Sequence, residues 1–236
     1  MTYTPETFTE ELKRIFGDGL KSVILFGSVA SGHHHKEYSD INLLILVKEL
    51  DPAVLKRSVK PIRLWVQMGN PVPLLFTWDE FKKSDDVFPL EFLDMQEHRR
   101  ILHGEDPFER FSPSGENLRL ELERELRTNL LKLRQSYWEV SDTPARIHEL
   151  LIRASSTFLV LFRGVLRLLK VSPLPLKSES AQALAKHIPF DTKVFEYIER
   201  LKRKERAAFQ EETEPWVKRF MKSVETVIEA VDSRPA

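Results

Sequence analysis

The 236-residue chain carries 36 Lys and Arg against 36 Asp and Glu, so no overall positive field draws it to phosphate backbones, and extended nucleic-acid binding is disfavoured. Hydrophobic residues at 42% and charged residues at 31% exclude the disordered class, and the length suffices for one large domain or two modest ones. The chain contains no cysteine, which excludes disulfides and thiolate zinc sites and makes the cytoplasm the expected compartment.

The opening MTYTPETFTEELKRIF holds acidic residues and lacks the continuous apolar run of a secretion signal. Instead, Phe8, Leu12, Ile15 and Phe16 recur at helical spacing, and the glycines at 17 and 19 end that helix. Ser22 to Phe26 (SVILF) and Ile41 to Val47 (INLLILV) are β-rich and too continuously apolar for a half-exposed edge, so both are expected to be central strands of a covered sheet. A short helix is expected over Asp51 to Val59, then strands over Ile62 to Gln67 and Val72 to Phe76, separated by the Gly69-Asn70-Pro71 break. Thr77 and Glu80 have capping-box spacing and predict a helix start.

The turn formers of Phe111-Ser112-Pro113-Ser114-Gly115 mark the expected domain boundary, because beyond them the hydrophobic period changes from two to helical. Leu118, Leu122, Leu126, Leu130 and Leu133 line one long helix; Ile147, Leu151, Ala154, Phe158, Leu161 and Val165 line the next. After Pro173 and Pro175, further helices are expected over Ser180 to His187, Thr192 to Ala207 and Pro215 to Val231. The most apolar stretch, Phe158 to Leu169, is interrupted by Arg163 and Arg167, so no membrane span is expected. These elements predict an α+β class: a domain of strands and helices over residues 1–111, followed by an all-α helical bundle over 112–236.

The chemistry concentrates in FGSVASGHHHKEYSDINLLIL. Gly27-Ser28 closes the first apolar strand and, after eleven residues, Asp40-Ile41-Asn42 opens the second. Glycine admits a phosphate close to the backbone, while a serine hydroxyl and free amides at a helix start can hydrogen-bond its oxygens. On a strand, residues i and i+2 share a face, so Asp40 and Asn42 would point together toward that phosphate, where magnesium could bridge them.

This pattern resembles the nucleotidyltransferase superfamily, whose motif is Gly-Ser followed one loop later by Asp-x-Asp; Gly27, Ser28, Ser39 and Asp40 carry the match. A helical second half also resembles the kanamycin-nucleotidyltransferase-like branch in architecture. The resemblance implies a small mixed sheet flanked by helices, transfer of a nucleoside monophosphate from an NTP, ATP foremost, to an acceptor, and magnesium ions held by three carboxylates. It implies nucleotide binding by Gly27, Ser28 and Ser39, a catalytic role for Asp40, and metal ligation by Asp40 with Asn42.

Two departures qualify that expectation. Asn42 stands where the family has a second carboxylate, and the expected later strand, Val72 to Phe76, has no acid where the family has its third. A two-ion reaction needs ligands that hold both ions, so weakened or absent transfer is expected.

Other polar features have simpler readings. His33, His34 and His35 lie in the loop between motif halves, where consecutive side chains point apart and supply no defined ligand set. His98 and His103 are expected on the surface at an edge strand, and the basic run Arg200 to Arg206 is expected to be a solvated helix face balanced by neighbouring acids. Arg153, Arg163 and Arg167 are expected to snorkel. Three functions compete: transfer to a small-molecule or protein acceptor, a non-catalytic scaffold that binds nucleotide, a partner protein or a second copy of itself, and an RNA-cleaving helical domain. The last ranks lowest, because Arg146-Ile147-His148 is too closely spaced for the Arg-to-His motif of such ribonucleases.

Overall fold

The computed structural model describes residues 3–27, 29–30, 41–109, 111–171 and 177–234. The chain divides into two compact units, Met1–Pro113 and Ser114–Ala236.

The first unit runs α1 (Pro5–Phe16), β1 (Leu20–Phe26), β2 (Asn42–Val47), α2 (Pro52–Gln67), β3 (Leu74–Thr77), α3 (Trp78–Lys83), α4 (Pro89–Glu97) and β4 (Arg99–Gly104). Thr4 and Thr7 form a reciprocal cap on α1, and Gly17 ends it with φ at 53°, a backbone conformation open mainly to glycine. The sheet order is β3-β2-β1-β4. The β1 strand is antiparallel to β2 and β4, whereas β2 and β3 are parallel, so the sheet is mixed and its two most apolar strands are central. Alternation along them feeds two cores. Val23, Leu25, Leu43 and Ile45 join Phe8, Leu12 and Trp65 on one face. On the other, Ile24, Leu44 and Leu46 meet Phe81, Phe92, Met95 and Phe108.

Several local expectations change in the folded chain. Ile62 to Gln67 is the last part of α2, which continues through Pro61. The alternation of IRLWVQ is outweighed by a helical face: Ser58, Pro61 and Trp65 are buried on α2 and Ile62 is half-buried. Trp65 is stacked on Phe8 at 4.9 Å, and its indole N–H donates to the Pro71 carbonyl at 2.9 Å. Burial of that face offsets the hydrogen bond the proline removes. The next strand lies at Leu74–Thr77 rather than Val72 to Phe76. Thr77 ends it and caps α3, its hydroxyl accepting from the Glu80 amide while the Glu80 carboxylate accepts from the Thr77 amide.

The second unit comprises α5 (Gly115–Val140), α6 (Pro144–Leu168), α7 (Lys177–Ala185), α8 (Lys193–Lys202) and α9 (Thr213–Asp232). The α5 helix packs on α6 and α9, and α6 packs on α7, α8 and α9. Leu122, Leu126, Leu130 and Leu133 are buried along α5, and Phe158, Phe162, Phe195 and Phe220 form an edge-to-face aromatic seam through the bundle. The α8 helix stops at Lys202 instead of reaching Ala207, because Lys204 turns left-handed at φ 58°. Arg163 is buried at 8% exposure rather than snorkelling. In the basic run, Arg200 pairs with Glu205 and Glu211, and Lys202 pairs with Glu199. No helix among the described residues is long and apolar enough to cross a membrane.

Candidate functional site

Where β1 ends, Gly27 turns the chain with φ at 84°. Its N–H donates to the His98 carbonyl and its own carbonyl accepts from the Ala30 N–H, both at 3.0 Å. The neighbouring strand opens at Asn42, which pairs with Phe26. A methyl group on Gly27 would lie 3.4 Å from the Asn42 amide nitrogen, so Gly27 and Asn42 stand against each other. Of the other residues expected at the site, Ser28, Ser39 and Asp40 lie outside the described residues, as does the His33 to His35 loop.

Directly opposed residues of antiparallel strands share a face. Phe26 opposes both Asn42 on β2 and Arg99 on β4, so the three form one row across the sheet. The row lies on the aromatic-core side, because the next one is Leu44, Ile24 and Ile101, all packed there. At the end of that row the Arg99 guanidinium grips Asp106 with Nε at 3.1 and 3.0 Å from the two carboxylate oxygens and Nη2 at 2.7 Å from one of them. Its Nη1 donates to the Gln96 carbonyl, and its cationic centre lies 5.6 Å from the Phe108 ring centroid.

Asp106 is itself fixed, accepting from the Phe108 N–H at 3.0 Å. Burial pushes the Asp106 carboxyl upward, but the bonds from Arg99 and the Phe108 amide outweigh it and hold the group below its usual range. The Gln96 side-chain amide donates to the Phe108 and Phe111 carbonyls, each at 3.0 Å. The corner between α4 and β4, which presents the His98 carbonyl to Gly27, is thus tied at several points. Sequence reasoning passed over Arg99 and Asp106: a charged pair opening an edge strand carries no local sign of proximity to a glycine turn some seventy residues earlier.

His98 follows α4 as its C-cap, with its side chain beside Glu97 at 3.8 Å, and His103 lies within the edge strand β4. Neither belongs to the Asn42 row.

The donor set can be compared with the needs of magnesium, which prefers several oxygen ligands, carboxylates among them. Asn42 offers one neutral oxygen, and β3 (Leu74–Thr77) carries no acid. Glu80 is occupied in the α3 cap; backbone and side-chain bonds from Thr77 lower its pKa. Among the described residues no three histidine, aspartate or glutamate side chains gather where they could hold a metal ion. Among the described residues, which do not include Asp40, these side chains do not supply the carboxylates of a two-ion centre.

A family model described as the nucleotidyltransferase domain matches residues 6–213. Two similar proteins come from Methanocaldococcus jannaschii. "Putative protein adenylyltransferase MJ0141" is 36% identical over 77 residues, covering 33% of this chain and 75% of that protein. "Putative protein adenylyltransferase MJ1305" is 49% identical over 45 residues, covering 19% of this chain and 30% of that protein. Among solved structures, the spectinomycin adenyltransferase AAD(9) from Enterococcus faecialis, crystallised with ATP and spectinomycin, aligns over 99% of this chain and 100% of its own, with a TM-score of 0.48 and 14% identity. Since the family model spans most of its length, the chain belongs to the nucleotidyltransferase domain family.

Proposed function

We propose that this chain binds a nucleoside triphosphate, ATP foremost, at the turn after β1, and that its transfer of a nucleoside monophosphate to an acceptor is weakened or lost. In this reading Gly27, Ser28 and Ser39 hold the phosphates, while Asp40 and Asn42 face the Mg²⁺ that a triphosphate carries. The observation that supports it most is the apposition of Gly27 with Asn42 at the open end of β1 and β2, beside a β3 that has no acid. ATP is favoured because the relatives are named adenylyltransferases. Their names also make a protein acceptor the first to try, ahead of a small molecule. The helical domain, residues 112–236, would supply the acceptor or partner surface, and the setting would be cytoplasmic.

The missing acids also support a second reading, a scaffold that binds a partner protein or a second copy of this chain without chemistry. Calorimetry with ATP, GTP, CTP and UTP, with and without Mg²⁺, separates the two. Magnesium-dependent binding that Asp40→Ala abolishes supports the nucleotide site, whereas no binding of any of the four removes it and leaves the scaffold. Incubation with labelled ATP and candidate acceptors, repeated on Asn42→Asp, then tests the chemistry. Restoring the carboxylate is expected to raise the transfer rate, and a wild type that already transfers rapidly would overturn the proposed impairment.

A further inference from the structure

We infer that Arg99 is a phosphate-binding residue of the nucleotide site, held ready by Asp106 and Gln96. The inference rests on the nucleotide reading of that site and adds to it a residue outside the Gly-Ser and Asp-x-Asn segments.

Three observations carry it. Arg99, Phe26 and Asn42 share one row and one face of the sheet at the end where Gly27 turns. Neighbouring strands lie about 4.8 Å apart, so the Arg99 backbone lies roughly 10 Å from Asn42, a distance comparable to the span of an extended arginine and a bound phosphate. Arg99 is also the one charged member of the row, for Phe26 and Asn42 are neutral, and its side chain remains 23% exposed.

Finally, the guanidinium has N–H groups left over. Arginine carries five such donors. Nε and one N–H of Nη2 serve Asp106, and one N–H of Nη1 serves the Gln96 carbonyl. One N–H on each terminal nitrogen has no assigned acceptor among the described residues. Two N–H groups in a fixed planar fork suit a phosphate, whose oxygens accept in pairs, and a carboxylate behind the fork removes the cost of ordering a long side chain when the ligand arrives. A brace for the corner alone would need the same Asp106 and Gln96 contacts but would leave the phosphate indifferent to Arg99, and this difference can be measured.

The experiment titrates ATP with Mg²⁺ into the full chain over a series of NaCl concentrations, using wild type, Arg99→Gln and Arg99→Lys, with thermal melts of each. A charge-assisted hydrogen bond is worth about 1.5–3 kcal/mol, so Arg99→Gln is expected to weaken ATP binding roughly tenfold to a hundredfold. It should also flatten the dependence of affinity on salt, because one ionic contact has gone. Arg99→Lys keeps the charge but loses the fork, so it should retain the salt dependence with intermediate affinity; if Arg99→Gln does not fold, the affinity of Arg99→Lys relative to wild type carries the test. Affinity unchanged in the variants, or reduced with the salt dependence of Arg99→Gln intact, would make Arg99 a brace only and overturn the inference while sparing the nucleotide site. A wild type that binds no ATP would overturn the nucleotide reading and this inference with it.

Discussion

Gly27→Ala tests whether the turn after β1 is tuned for a ligand or is merely a connection. Gly27 sits at φ 84°, where an L-residue with a Cβ pays about 1–2 kcal/mol. The added methyl would lie 3.4 Å from the Asn42 amide, an ordinary contact, so the penalty is one of backbone conformation rather than collision. A free energy of that size changes the population of the native turn by about 5–30-fold. If the turn holds phosphate, ATP affinity should fall by up to that factor, as the binding-competent fraction drops. The chain should remain folded, with a melting temperature lowered by several degrees, given that each kcal/mol shifts a domain of about this size by a few degrees, roughly 2–8 °C.

Gly17→Ala is the matched control. Its residue has φ at 53° with, among the described residues, no atom within 4 Å of the methyl that alanine would add, and with ψ at −133° the conformation is unfavourable for alanine. It should therefore cost comparable stability and leave ATP affinity unchanged. Calorimetry of the three proteins with Mg²⁺-ATP gives the answer. Wild-type affinity in Gly27→Ala, or an equal loss in Gly17→Ala, would refute the assignment of the turn to the ligand.

Other perturbations probe the framework. In Gly104→Ala the new methyl would lie 1.8 Å from the Lys21 carbonyl oxygen and 3.1 Å from the Ser22 Cα; parting β4 from β1 should cost about 1–3 kcal/mol, on top of about 1–2 kcal/mol for the left-handed backbone. A urea midpoint equal to wild type would contradict the observed pairing. Trp65→Ala empties a site with 0% exposure, loses the stack on Phe8 and leaves the Pro71 carbonyl without its donor, so a loss of about 3–5 kcal/mol is expected in the same assay. His148 is 4% exposed, neither ring nitrogen has a hydrogen-bond partner among the described residues, and burial lowers its pKa. The folded state therefore disfavours the proton. Stability from this group is complete above the unfolded value of about 6.5 and is lost as pH falls toward the lowered folded value. Melts between pH 7 and 5 should show that loss in wild type and a shallower one in His148→Phe; parallel profiles would show that His148 is not its source.

Much of the framework was legible because local chemistry and burial agree. SVILF and INLLILV read as central strands because only a strand covered on both faces can use apolar residues at nearly every position, and β1 and β2 occupy the middle of the sheet. The α3 start was legible from Thr77 and Glu80, whose reciprocal hydrogen bonds are a local matter. The leucine spacing of α5 names its buried face directly. Ile62 to Gln67 was not legible: those six residues alternate, whereas the buried side of α2 follows helical spacing through Pro61 to Trp65. The value of that burial depends on Phe8, more than fifty residues away.

The amino-acid order by itself determined the periodicities, the caps, the apolar strands and the presence of Gly27-Ser28 ahead of Asp40-Ile41-Asn42. Tertiary structure decided which side chains share a sheet row with Asn42 beside Gly27. The pairing of β1 with β4 shifts register between Val23 and Ile24, and a shift of one residue exchanges the faces of every side chain beyond it. Because of that bulge, Arg99 opposes Phe26 on the Asn42 side, while Arg100 opposes Leu25 and bonds Glu6 of α1. Two adjacent arginines look alike in sequence; the packing of both sheet faces gives them different partners.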